Sequence, residues 1–107
     1  MTGQLHEHRH WTRYPAENPV VFTSNGRSRK GRLRDISASG AAFELENVDS
    51  DDDRGMLTVD DLGVYETQVI RDMDDGFAVM LNLDEGEQAT LQDELADYFY
   101  QEDQGFD

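Results

Sequence analysis

The chain has 107 residues, 36% of them hydrophobic and 31% charged, which suits one small domain with a single core and not a deep cleft between two. It contains no cysteine, which excludes disulfides, thiolate catalysis and cysteine-held zinc and fits a reducing, cytoplasmic setting. The formal net charge of -15 is unevenly spread: residues 1–34 carry seven basic side chains against two acidic ones, whereas residues 35–107 carry only Arg54 and Arg71 against 22 acids. Such a molecule repels DNA, RNA and anionic membranes at long range, so any anion it holds has to be small and gripped by the basic first third. Most of the acids read as a solvated face. No apolar run approaches the roughly 18 residues of a membrane span, so membrane insertion is not expected.

Met1 to Tyr14 has no clear period and few apolar anchors apart from Leu5 and Trp11, and reads as a flexible arm, polar and histidine-rich where a secretory signal would be apolar. A barrel of strands is expected over residues 15–86. Its first strand runs from Glu17 to Ser24 through Val20, Val21 and Phe22. Asn25-Gly26 is a strong hairpin signal, and the return strand is Ser28 to Ile36. There Arg29, Gly31, Leu33 and Asp35 alternate with Lys30, Arg32, Arg34 and Ile36. After a turn at Ser37 to Gly40, Ala41 to Glu46 alternates with Ala41, Phe43 and Leu45 on one face. An acidic loop, Asn47 to Gly55, leads to short strands at Met56 to Val59 and Tyr65 to Arg71. The last strand, Phe77 to Leu83, is set off by the turn at Asp72 to Gly76. The period then changes. Leu91, Leu95, Tyr98 and Phe99 form the stripe of an amphipathic helix over residues 87–101, followed by an acidic tail, 102–107. The pattern predicts an all-β fold with a C-terminal helix, built as a six-stranded antiparallel barrel.

Two motifs carry the chemistry. Arg9 and Arg13 lie four apart in a segment with no helical face to explain the spacing. Asp35, Ser37 and Gly40 form an Asp-x-Ser-x-x-Gly run at a strand end. Alone, the first is a pair of arm arginines and the second an Asx-type turn. One hairpin separates them, so the fold can bring them to the same end of a barrel. Arginine pairs bidentately with phosphate or with the O6/N7 edge of guanine. Aspartate accepts from the N1 and N2 donors of guanine's other edge, and glycine admits a close ligand. The joint set suits a guanine nucleotide with phosphates.

In this order and spacing the motifs resemble the PilZ domain, the bacterial receptor module for cyclic di-GMP. The resemblance covers about His8 to Tyr100. It implies that Arg9 and Arg13 grip phosphate and guanine while Asp35, Ser37 and Gly40 receive the base, with His8, His10 and Ser39 as further candidate contacts. His8 stands where many members carry arginine, a position that bears on whether one ligand or an intercalated pair is bound. Ala78-Val79-Met80-Leu81 keeps the apolar pattern of the family's last strand but not its Gly-Val-x-Phe residues. The implied function is a cyclic di-GMP sensor that changes its surface and signals to a protein effector. The alternative is a protein adaptor on the same barrel that needs no nucleotide.

Other chemistries fit less well. His6, His8 and His10 alternate but lack further metal ligands. Asp49, Asp51 and Asp53 resemble the start of a calcium loop, but Arg54 stands where that loop needs glycine and Asp60 replaces the closing glutamate. No nucleophile–base pair is apparent, so neither catalysis, a metal nor a cofactor is expected.

Overall fold

In the computed structural model, which describes residues 11–46 and 52–104, Asn25 and Gly26 adopt φ of 54° and 77°. Two successive positive φ values make the tight turn whose twist matches its flanking strands. It joins β2 (Pro19–Ser24) to β3 (Arg27–Ile36), and β4 (Gly40–Leu45), β5 (Arg54–Val59), β6 (Gly63–Met73) and β7 (Gly76–Leu81) follow. All six expected strands are present, with no end displaced by more than two residues. β2 pairs with β5, β5 with β6, β6 with β7, β7 with β4 and β4 with β3, so the six antiparallel strands close into a barrel. Closure leaves no free sheet edge along the ring.

Inward positions fill the barrel with apolar side chains. Phe22, Phe43 and Phe77 are fully buried and meet at ring-centroid distances of 5.3, 5.6 and 6.2 Å. Tilted and edge-on contacts of this kind add to the area they bury. Leu33, Leu57, Val59, Val79 and Leu81 complete the interior.

The helix α1 spans Glu85–Gln104 and is longer at both ends than the expected 87–101. Its start is fixed by a reciprocal cap. The Glu87 amide donates to Asp84 Oδ1 at 2.7 Å, and the Asp84 amide donates to Glu87 Oε1 at 2.9 Å. Leu91 and Leu95 are buried against the barrel, while Tyr98 and Phe99 are half-buried at its edge.

Residues 11–14, expected within the flexible arm, pack on the fold. Tyr14–Pro15 forms a two-residue strand, β1, that continues the edge of β3 beyond β2, with Tyr14 opposite Ile36 and Pro15 opposite Asp35. Tyr14 stacks on Phe99 at 4.8 Å, and Trp11 Nε1 donates to Gln88 Oε1 at 3.2 Å. Residues 11–14 are thus docked by aromatic packing on α1. Arg9, His8 and His10, the alternating histidines and Asp49 and Asp51 lie outside the described residues.

The acidic loop is not solvated throughout. Asp52 is buried and accepts from Arg29, itself buried beneath the β2–β3 turn, and Asn25 Nδ2 donates to the same carboxylate at 3.2 Å. The Arg29 guanidinium also lies 5.7 Å over the Phe22 ring.

Tyr65, half-buried beside Leu83 and Leu91, has its phenol pushed up by burial and then by the charge of Glu94. The fold therefore favours the neutral phenol. The unfolded chain ionises first, near about pH 10, so the contribution is whole below that pH and is lost as pH rises beyond it. Between pH 9 and 11 the denaturant midpoint should fall more for the native chain than for Tyr65→Phe. Equal falls would contradict this.

Candidate functional site

Asp35 reaches the surface only because β3 is irregular. Pairing steps from Leu33 opposite Phe43 directly to Asp35 opposite Ala42, leaving Arg34 as an extra residue. Unbroken alternation would place Asp35 on the inward face with Leu33 and expel Ile36. The bulge reverses the phase, so Ile36 is fully buried and the Asp35 side chain is 31% exposed. The expected alternation through Asp35 and Ile36 does not hold, because one inserted residue exchanges the two faces.

The pairing of β1 with the end of β3 then sets Arg13 beside Asp35. Arg13 Nη1 donates to Asp35 Oδ1 at 2.5 Å, across 22 positions of sequence. The Arg13 side chain stays 53% exposed, so it is held at the surface without being sequestered. Arg29 and Arg34, also in the basic first third, are already committed to acids. Arg34 donates to Glu44 at 3.1 Å and to Asp75 at 2.6 Å, and the hydrogen bond to Glu44 holds its guanidinium still more firmly in the charged form.

The turn between β3 and β4 supplies the rest of the motif. Ser37 is buried, and its hydroxyl oxygen accepts from the amides of Ser39 at 3.2 Å and Gly40 at 3.3 Å. Its role in the structure is to hold the turn from below. Ser39, half-buried, and Gly40, buried, line the same hollow as Arg13 and Asp35. A Cβ on Gly40 would come within 2.8 Å of the Val79 carbonyl oxygen and 4.0 Å of Arg13 Nη2. Only glycine leaves this approach open.

Arg13, Asp35, Ser39 and Gly40 line a concavity of about 650 Å³ on the outer face of the barrel, within the range of small-molecule sites. Its floor is made of small outward residues, Ala42 on β4 and Ala78 on β7, which pair with each other. Its far side is Ile70, Arg71 and Met80, with Ile70 64% and Met80 41% exposed. Neither sequence motif includes this far side. Arg71 was visible as one of two cations in an acidic stretch, but its place depends on a second bulge. Pairing of β6 steps from Val69 opposite Val79 to Arg71 opposite Ala78. The arrangement combines a guanidinium, a carboxylate, a turn whose Ser39 and Gly40 border the hollow, and a floor of small apolar side chains. It can receive a planar, anionic molecule with hydrogen-bond donors on one edge.

A family model described as the PilZ domain matches residues 7–97. A search of curated proteins found no match. Among solved structures, the PilZ domain of CeSA from a cellulose-synthesizing bacterium is similar at 19% identity and a TM-score of 0.59, covering 83% of this chain and 98% of that one. YcgR from Escherichia coli in complex with c-di-GMP is similar at 15% identity and a TM-score of 0.62, covering 92% of this chain and 49% of that one. The PilZ domain of YcgR with c-di-GMP is similar at 17% identity and a TM-score of 0.56, covering 79% and 86%. This chain thus spans about half the length of the longer YcgR structure. With the family model matched over most of the sequence and a barrel of the same kind beneath it, the chain belongs to the PilZ domain family.

Proposed function

We propose that the chain binds cyclic di-GMP in the concavity beside Arg13 and passes the event to a protein partner. The observation that carries this reading is the Arg13–Asp35 contact at the rim of a small-residue floor, a cation for phosphate set against an acceptor for the guanine edge. Two of the similar structures hold cyclic di-GMP, which supports the same ligand here. Asp35 accepts from N1 and N2 of the base, Gly40 and Ser39 let the base approach the turn, and Ser37 keeps that turn in shape. Arg9 joins Arg13 as the other arginine of the motif.

The output runs through α1. Trp11 and Tyr14 flank Arg13, and both rest on that helix. A ligand that pulls on Arg13 therefore loads the Trp11–Gln88 and Tyr14–Phe99 contacts, and an effector that reads α1 responds. By linkage that effector changes nucleotide affinity to the same extent. The adaptor reading draws on the same helix, where Tyr14, Phe99 and the exposed Tyr100 border an apolar hollow. An adaptor would keep its partner after loss of Arg13, whereas a sensor would lose its response.

Isothermal titration calorimetry with cyclic di-GMP, cyclic di-AMP and GTP tests the ligand assignment. Cyclic di-GMP should bind tightest, and Asp35→Ala should narrow its lead over cyclic di-AMP. Equal binding of all three nucleotides would reject the guanine assignment.

A further inference from the structure

The two bulges share a consequence. Asp35 pairs with Ala42, Ala42 with Ala78, and Ala78 with Arg71, so these four residues stand abreast in one row across β3, β4, β7 and β6. Asp35 and Arg71 are each the first paired residue after a bulge, and each bulge turns its residue outward at one end of the row. Three strand spacings of about 4.8 Å give the row a width of about 14 Å along the sheet. It has an acid at one end, two methyl groups between, and a cation at the other. Arg71 is exposed, makes no ion pair among the described residues, and lines the same concavity as Arg13. Its neighbour Ile70 is among the most exposed large apolar side chains of the barrel, and Met80 is exposed on the next strand of the same wall.

What sets Arg71 apart from Arg54, the other cation of the acidic stretch, is that it stands on the wall of the concavity, at the end of the row away from Asp35. We infer that Arg71 is a second anion-binding arm of this site, taking a ligand phosphate at the end of the row away from Asp35, while Ile70 and Met80 bound the base from that side. The inference rests on the receptor reading and adds to it a residue outside both motifs. Arg13 and Arg71 then hold the cyclic dinucleotide from two sides, and Ala42 and Ala78 keep the floor low enough for it to lie flat. Arginine suits the task through its planar fork, which lysine lacks.

The test is calorimetry of the full chain with cyclic di-GMP, comparing the native protein with Arg71→Ala, Arg71→Lys and Arg54→Ala. Arg54→Ala removes the same charge from β5, outside the concavity, and controls for the general field. Arg71→Ala should bind roughly tenfold more weakly, Arg71→Lys should recover part of that loss, and Arg54→Ala should match the native chain. All four should melt within a few degrees of one another, since Arg71 packs against nothing in the core. Equal affinity of Arg71→Ala and the native chain would overturn this inference and leave the receptor reading standing. The same loss in Arg54→Ala would also overturn it, by reducing the effect to net charge. Absence of binding to the native chain would overturn both.

Discussion

Replacing Arg13 with alanine should weaken cyclic di-GMP binding roughly ten- to a hundredfold while leaving the melting temperature nearly unchanged. The two halves of this expectation have one cause. The Arg13–Asp35 pair is exposed to solvent on both sides, and exposed ion pairs contribute only about 0–1 kcal/mol to stability. Breaking it therefore costs the fold little, and a ligand can replace it at equally low cost. In the complex the same guanidinium makes charge-assisted contacts to phosphate, each worth on the order of 1.5–3 kcal/mol. The variant also leaves the Asp35 carboxylate uncompensated beside an anionic ligand. Arg13→Lys should fall between the two, because it keeps the charge and loses the fork. Calorimetry with thermal melts on the same samples checks both halves. Unchanged affinity would remove Arg13 from the site, and a collapse in melting temperature would make it a structural residue.

Asp52→Ala should be the most damaging single substitution away from the core, costing about 3–5 kcal/mol of stability. Asp52 and Arg29 are almost fully buried, with side-chain exposures of 3% and 6%. Removing the acid takes a charge partner from a guanidinium held where there is little water, and Asn25 loses its acceptor at the β2–β3 turn. For a domain of this size each kcal/mol lowers the melting temperature by roughly 4–8 °C, so a fall of well over ten degrees is expected. The paired change Arg29→Met with Asp52→Leu removes both charges and should recover most of the loss. Denaturant unfolding of the single and double variants checks this. A single variant within about 1 kcal/mol of the native chain would show that water still reaches the pair. This end of β3 lies away from Asp35, so nucleotide affinity measured well below the melting temperature should not change.

The parts of the molecule legible in the sequence are those governed by local rules. Asn25-Gly26 announces its turn through two positive φ values, and Ala41, Phe43 and Leu45 reach the core because strand alternation runs unbroken there. Leu91, Leu95 and Phe99 of the helix stripe lie against the barrel as their spacing implies, and the Tyr98 hydroxyl accepts from Asn18. The earlier start of α1 was also written locally, in Asp84 and Glu87 three residues apart. What stayed hidden depends on which strand meets which. A bulge leaves no composition signal, so neither the outward turn of Asp35 nor the place of Arg71 follows from alternation. Asp52 reads as one acid in a polar run until the fold sets Arg29 against it. Two motifs separated by one hairpin can meet at one barrel end, but β1, the two-residue strand that makes the Arg13–Asp35 contact, is too short to leave a period.

Two-dimensional NMR of the labelled chain during addition of cyclic di-GMP tests the central claim most directly, because it locates the ligand as well as detecting it. The amides of Arg13, Asp35, Ser39, Gly40, Ala42 and Ala78 should shift together and saturate with one affinity, and those of Arg29 and Asp52 should stay in place. Shifts confined to the β2–β3 turn and the acidic loop, or none at all at saturating nucleotide, would contradict the account.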